Sequence, residues 1–490
     1  MIQKSNKQKV VNGISSQTLV TIVLGIVEIV SFSIMSRLLS KTDFGYYAAI
    51  SAIVLIFSSF SETGIGAAII QRKRLTKRFV DNAFTLSLLF GLAISFLLFI
   101  LSGTLADTVA DHSMTMPLMI MSVTLLLNCL TSVFKSIMHR RLEFLRIGAI
   151  NLTALVFTTI IAILLAFYGF GYYAIIAKSV LQSVVTFVLT WYFCKTSFSL
   201  SIDKYNASKI FRFSGWLMAS VVFRNIAHQV DKLLMPRLLT IEALGAYNRP
   251  KDFMNQISSK LNGIFDSALF PVLSSIQDEK KKLSNAFIQS LSILNIFAML
   301  LTLTFALNSQ LIIRIFFGEE WMSLNEVTII LSFALVFNID GRLSDCYLRS
   351  MGMTQFQFYF RIFEAAVNII GVLVGYNWGI IGVAYSVVAT NALTKILKTI
   401  YVANKIDIGA LDIIMVIIKS WKYMLILIPI CVVGLYFFSN NIWGNVAQGI
   451  LFSITVLLIF LCFPKIVGET YNHIVYNKLI SIAFKKLKFI

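Results

Sequence analysis

The sequence predicts an all-α, polytopic membrane protein: fourteen transmembrane helices, arranged as two six-helix lobes around a central cavity with two extra C-terminal helices. Three observations predict it. Of the 490 residues, 58% are hydrophobic and only 13% charged, about half the charged share of an ordinary soluble domain. Apolar runs of about 20 residues, the length that crosses the hydrocarbon of a bilayer, recur along the whole chain. The basic residues, which give a formal net charge of +19, gather in alternate short connections, as positive-inside topology requires.

Taken in order, the runs lie at about 14–36, 44–70, 81–102, 116–138, 147–168, 172–194, 212–236, 244–270, 288–308, 325–348, 358–376, 379–402, 420–438 and 443–463. Lys4, Lys7 and Lys9 precede the first run, which continues through Glu28 to Met35 without a small-residue cleavage site and so reads as a retained span. With a cytoplasmic N-terminus, the inside connections hold Arg72 to Arg78, His139-Arg140-Arg141 with Arg146, Lys195 to Arg212, Lys280-Lys281-Lys282, Lys395 to Lys422, and the tail from Lys465 to Lys488. The outside connections are nearly free of Lys and Arg, with Arg37, Lys41, Arg237 and Arg314 as exceptions. A miscount of one span would swap the two sets downstream, so the alternation predicts a multi-pass protein with both termini cytoplasmic. The stretch Asn477 to Lys488 is basic and amphipathic and suits the inner leaflet.

The chain reads as a duplication. Arg37-Leu38-Leu39-Ser40-Lys41-Thr42-Asp43-Phe44-Gly45-Tyr46-Tyr47 returns as Arg237-Leu238-Leu239-Thr240-Ile241-Glu242-Ala243-Leu244-Gly245-Ala246-Tyr247. Each copy leaves one helix and starts another, with Ser40 or Thr240 placed as N-cap. Tyr168-Gly169-Phe170-Gly171 before the sixth span is matched by Tyr376-Asn377-Trp378-Gly379 before the twelfth. These repeats divide the chain into lobes 1–200 and 201–405, with 406–490 carrying the two additional helices and the basic tail. Each half has an even number of spans, so both keep the same orientation.

Several spans carry polar faces that lipid does not solvate. At 100° per residue, Arg249, Asp252, Gln256, Ser259, Lys260, Gly263 and Ser267 share one side of the eighth span, with Lys251 on its flank. Ser220, Arg224, His228 and Asp231 share a face of the seventh. Asn338, Arg342, Asp345 and Arg349 do so on the tenth, and Arg361, Glu364 and Asn368 on the eleventh. Two readings stand beside each other: ion pairs between helices, or a water-filled cavity. On the second, Arg224, Arg249, Lys251, Arg342 and Arg361 are the substrate-binding candidates, and Glu28, His228, Asp231, Asp345 and Glu364 the coupling or ion-pair candidates. Lys135 and Lys178, read singly, suit snorkelling to an interface.

Other chemistries find little support. The five cysteines, Cys129, Cys194, Cys346, Cys431 and Cys462, lie in or beside apolar spans with no CxxC, and read as small core residues. The histidines show no metal-ligand spacing, and no GxxxxGK[ST] phosphate loop is present. No catalytic residue, metal or cofactor is expected, and membrane topology accounts for the basic charge without nucleic acid.

Three segments carry a family resemblance: Ser36 to Tyr46 followed by Glu62 to Arg72, Leu244 to Tyr247 followed by Phe270-Pro271-Val272-Leu273-Ser274-Ser275-Ile276-Gln277-Asp278, and Phe317-Gly318-Glu319-Glu320-Trp321. They resemble the polysaccharide-transport branch of the oligosaccharidyl-lipid flippases, within the multidrug/oligosaccharidyl-lipid/polysaccharide exporter superfamily. The resemblance implies a flippase in the bacterial cytoplasmic (inner) membrane. It implies export of a polyprenyl-diphosphate-linked oligosaccharide repeat unit for O-antigen, capsule or exopolysaccharide, in the company of a polymerase and chain-length machinery. The alternatives are a cation-coupled multidrug exporter of the same superfamily and a membrane polymerase or glycosyltransferase. The last usually needs a large external loop, and the external loops here are short.

Overall fold

A computed structural model describes residues 20–419, apart from 21–22, 62–64, 73–74, 197, 202–203 and 278. The predicted thirteenth and fourteenth spans, the basic tail, Glu62, Cys431 and Cys462 lie outside the described residues. All regular structure among the described residues is helical. In order these are α1 (23–38), α2 (Lys41–Ser61), α3 (Ile65–Gln71), α4 (Lys77–Val109), α5 (Thr115–Arg140), α6 (Phe144–Phe167), α7 (Tyr172–Cys194), α8 (Lys204–Leu238) and α9 (Ile241–Ser275). There follow α10 (Lys280–Leu307), α11 (Ser309–Ile312), α12 (Asn325–Ser332), α13 (Ala334–Ser350), α14 (Thr354–Gly375), α15 (Gly379–Lys405) and α16 (410–419).

Eight stretches among the described residues are long and apolar enough to cross a membrane. Several helices overshoot the predicted spans, α4 most, because hydropathy marks only the part in hydrocarbon while the backbone ladder continues into the headgroups. The predicted span 44–70, by contrast, is shared by α2 and α3. α8 and α9 fall outside the eight despite 35 residues each, since their polar faces dilute the apolar signal. The predicted span 325–348 is two helices, α12 and α13, with Phe333 between them. Many large apolar side chains are exposed, among them Phe96 and Ile100 on α4 and Leu164 on α6, where lipid replaces water as their solvent. Phe167, Tyr168, Trp191, Tyr192 and Trp378, at helix ends, are also exposed, the placement of an interfacial aromatic belt.

The chain forms two compact units. The first runs to Arg249 and adds Phe316–Gly318 and Thr354–Val383. Its core centres on Phe134, whose ring packs against Phe84, Phe187 and Phe198 at 5.2–6.0 Å. Phe79, Val80, Ile137, Ile147 and Cys194 close around it, and Cys129 and Cys194 are buried free thiols, as core residues should be.

The duplicated turns acquire a physical reason here. Asp43 N–H donates to Ser40 Oγ at 3.1 Å and Ala243 N–H to Thr240 Oγ1 at 3.0 Å, the expected N-caps. Asp43 Oδ2 in turn accepts from the Ser40 N–H at 3.0 Å, completing a reciprocal box. The starts of α2 and α9 meet at the two repeat glycines. A Cβ on Gly45 would lie 2.0 Å from the Ile241 carbonyl oxygen, and one on Gly245 only 1.7 Å from that of Lys41. Only glycine permits this approach. Arg237, an exception to the charge alternation, donates to the carbonyls of Asp107 (2.7 Å) and Thr108 (3.3 Å), neutralising the C-terminal end of α4.

Gly171 and Gly379, the second repeat marker, share one backbone conformation (φ 53°, ψ −137° and φ 67°, ψ −153°) that side chains strongly disfavour. Asp43 Oδ1 accepts from the Tyr172 N–H at 2.9 Å, in the space a Gly171 side chain would take. Asp43 therefore caps α2 and ties it to α7. Asp43→Ala should lower stability by about 1–2 kcal/mol, read as a fall in thermal midpoint, with Asp43→Asn retaining part of it.

The second unit comprises Pro250–Ile315, Glu319–Met353 and the chain from Ala384. α10 packs on α13, with the Phe287 ring edge-on to Tyr347 at 4.7 Å. Its interior is more polar than its hydropathy suggests. Asn295 Nδ2 donates to Asp340 Oδ1 at 3.0 Å, Lys398 Nζ to Asp345 Oδ1 at 3.1 Å, and Ser344 and Thr399 share a 2.9 Å hydrogen bond. Gly341 leaves room for the Lys395 stem, which would come within 2.5 Å of an added Cβ. Arg314, another basic exception, pairs with Glu319 at 3.2 Å.

Candidate functional site

Within the first unit, polar side chains from five helices enclose a cavity of about 740 Å³. α5 supplies Asn128, Ser132, Lys135 and His139, which fall within about 60° of one another on the helix. α7 supplies Ser179, Gln182, Ser183 and Thr186, within about 100°. α6 adds Asn151, α2 adds Ser58, and α1 adds Glu28. These stripes turn inward because the opposite faces of the same helices carry the apolar side chains that lipid accepts.

The cavity is ordered by hydrogen bonds between its helices. Lys135 Nζ donates to Asn151 Oδ1 at 2.9 Å. The Ser179 hydroxyl meets the Tyr47 hydroxyl at 3.3 Å. Beside the cavity, Lys178 Nζ donates to Ser31 Oγ at 2.6 Å, within electrostatic reach of Glu28 and Arg249. The snorkelling expected of Lys135 and Lys178 is thereby corrected: each ammonium finds an acceptor on a neighbouring helix, so neither has to reach a headgroup. Glu28, for which a cavity or a packed ion-pair position is the expectation, lines the cavity.

The arginine candidates are placed differently. None of Arg224, Arg249, Lys251, Arg342 and Arg361 lines this cavity. Arg249 is buried, donating through Nε to Ser36 Oγ at 2.9 Å and through Nη2 to the Phe32 carbonyl at 2.6 Å. Its guanidinium stacks over the rings of Phe32 and Phe44 at 3.2 and 3.9 Å, a cation–π sandwich that fastens α9 to α1 and α2. Arg361 is 6% exposed and bound at 2.5 Å to Glu364, itself 2% exposed. For Arg361 and Glu364 the ion-pair reading describes the geometry, and for Arg249 a packed clamp does. Arg224 is half-buried in the first unit, Lys251 and Arg342 half-buried in the second.

Among the coupling candidates, Asp231 is buried and accepts from the Tyr247 hydroxyl at 2.7 Å, His228 is exposed, and Asp345 pairs with Lys398. The residues that sequence reasoning missed are Asn128, Asn151, Ser179 and Gln182. The signal lay in the spacing of the polar residues around Lys135, a stripe rather than a lone charge.

Chemically the cavity offers many hydroxyl and amide groups, one ammonium, one imidazole and one carboxylate. That set hydrogen-bonds a polyhydroxylated ligand and offers positive charge to an anionic group on it. Its volume falls in the range of small-ligand sites, roughly 300–1,000 Å³, enough for a headgroup and far too small for a polymer.

Comparison with known proteins adds three likenesses and a family match. The family described as "Polysaccharide biosynthesis protein" matches residues 34–327. The lipopolysaccharide biosynthesis protein WzxC of Escherichia coli (strain K12) is 23% identical over 398 residues, 80% of this chain and 81% of that one. The teichuronic acid biosynthesis protein TuaB of Bacillus subtilis (strain 168) is 20% identical over 354 residues, 72% of this chain and 73% of its own. Among solved structures, the lipid II flippase MurJ in an inward closed conformation superposes with a TM-score of 0.70 at 16% identity, covering 91% of this chain and 98% of that one. The last is a likeness of fold.

Proposed function

Because the chain belongs to the polysaccharide biosynthesis protein family, we propose that it is a flippase moving a polyprenyl-diphosphate-linked oligosaccharide across a bacterial membrane. It is a transporter and performs no covalent chemistry. The observation that carries the reading is the polar cavity inside otherwise apolar helices. A diphosphate with several sugars does not cross about 30 Å of hydrocarbon unassisted. The cavity takes the headgroup while the prenyl chain stays in lipid. Lys135 and His139 face the phosphate end, and the Ser, Thr, Asn and Gln side chains of α5 and α7 take the sugar hydroxyls.

Arg224, Lys251 and Arg342 remain substrate-binding candidates of this proposal, each within its own unit, and Glu28, His228 and Asp231 its coupling candidates. The lobes 1–200 and 201–405 rock against one another to alternate access, with 406–490 appended. The membrane is the cytoplasmic one, both termini are cytoplasmic, and a polysaccharide polymerase with its chain-length machinery receives the flipped unit.

The test is transport of a lipid-linked oligosaccharide in proteoliposomes, scored by lectin access to the lumenal leaflet. Lys135→Gln and Gln182→Leu should each lower the rate at least about tenfold, the effect of losing one charged or well-made polar contact, at unchanged reconstitution. Wild-type rates in the double variant would remove the cavity from the mechanism.

A further inference from the structure

A second cleft, of about 530 Å³, opens where α4 begins and α5 and α7 end. Its floor is apolar: Leu75, Val80 and Ile137. Its walls hold Lys77, Arg140, Arg141 and Lys195, with the hydroxyls of Thr76 and Thr196, and among the described residues no carboxylate lines it.

The two guanidiniums are fixed. Arg140 Nη1 donates to the carbonyl of Ile69 at 2.9 Å and to that of Arg72, closing the end of α3. Arg141 donates through Nη1 to the carbonyl of Cys194 at 2.7 Å and through Nη2 to Thr196 Oγ1 at 3.0 Å, closing the end of α7. Lys195 stands in the left-handed backbone region (φ 46°, ψ 41°). That conformation favours glycine, yet a lysine holds it at the cleft wall. Thr76 caps α4 by accepting from the Phe79 N–H, so the positive end of a 33-residue helix dipole meets the same space.

Four cations around an apolar floor, with no acid in the lining among the described residues, make an unbalanced field that calls for an anion. The surroundings say which kind. Trp191 and Tyr192, one turn before Lys195, are 60% and 70% exposed, so the cleft lies level with the interfacial belt of the membrane. An apolar floor under a basic rim between helix ends matches a glycerol backbone and its phosphate.

We infer that this cleft binds the phosphate headgroup of an anionic phospholipid, at a site separate from the transport cavity. The inference rests on the chain spanning a membrane and is independent of what the cavity transports.

Full-length protein in phosphatidylcholine nanodiscs, titrated with phosphatidylglycerol and read by native mass spectrometry and thermal midpoint, tests it. Wild type should retain phosphatidylglycerol and gain stability from it. Lys77→Gln with Lys195→Gln should weaken that binding about tenfold or more, leaving the midpoint in pure phosphatidylcholine unchanged. Lys281→Gln, an exposed lysine elsewhere, should change nothing. The Lys77→Arg, Lys195→Arg pair should keep the binding, which separates lost charge from lost folding. Equal phosphatidylglycerol retention in wild type and the Gln pair would overturn the inference. So would inorganic phosphate stabilising the protein in pure phosphatidylcholine as much as phosphatidylglycerol does, because the ligand would then be a soluble anion.

Discussion

Gly245→Ala should abolish transport and lower the thermal midpoint. The added methyl would sit 1.7 Å from the Lys41 carbonyl oxygen and 2.7 Å from the Gly45 nitrogen. Both obstacles are backbone, so no rotamer change relieves the clash, and α2 and α9 have to separate. Overpacking of ordinary side chains costs about 1–3 kcal/mol, and a clash this deep against main chain belongs at or above the top of that range. Gly45→Ala should behave alike, its methyl meeting Ile241 at 2.0 Å. The double variant should cost less than the sum, because one displacement accommodates both. Gly25→Ala is the contrast: among the described residues nothing lies within 4 Å of its Cβ position, and alanine in a helix is worth about 0.5–1 kcal/mol over glycine. A Gly245→Ala protein with normal transport and midpoint would mean that the two helix starts do not close upon each other as described.

Arg361→Ala should be lost from the membrane rather than merely inactive. Its guanidinium and the Glu364 carboxylate are both more than nine-tenths buried and bound to one another. Removing one partner takes the counter-ion from a buried charge, a loss of about 3–5 kcal/mol. Replacing both with apolar residues of similar volume, Arg361→Met with Glu364→Leu, should restore much of the protein, since a buried pair is often dispensable where half a pair is not. Immunoblotting of membranes and thermal unfolding in detergent read both results. Normal levels of Arg361→Ala with transport abolished would return Arg361 to headgroup binding.

Much of the fold was legible because the bilayer imposes one requirement, that backbone groups be satisfied within each span, and apolar runs record it directly. The repeat glycines were legible as a pattern, but their cause was not: sequence shows that Gly45 recurs as Gly245, and only coordinates show the two backbones in contact. The candidate site was less legible. Charge drew attention to Arg249 and Arg361, yet arginine binds carbonyls, rings and carboxylates as readily as phosphate, and both are committed that way. Lys135 was passed over because a single lysine in an apolar run looks like an anchor. Its neighbours Asn128, Ser132 and His139 carry no full charge in common with it, and their shared face becomes evident only when hydroxyls and amides are weighed alongside charges.

The first unit draws its last helix from far downstream, and this bears on how the protein is made. α8 lies against α14, with Phe223 edge-on to Phe358 at 5.4 Å and Asn368 Nδ2 donating to the Ala227 carbonyl at 3.0 Å. A ribosome releases α8 long before α14 exists, so the face of α8 that carries Phe223 and the Ala227 carbonyl waits for its partner through several further insertions. Until α14 arrives, the translocon, an insertase or other nascent helices have to stand in for it. Biogenesis of this protein is thus a waiting problem, in which a stop codon ahead of Thr354 strands an otherwise finished half in a state that membrane proteases recognise.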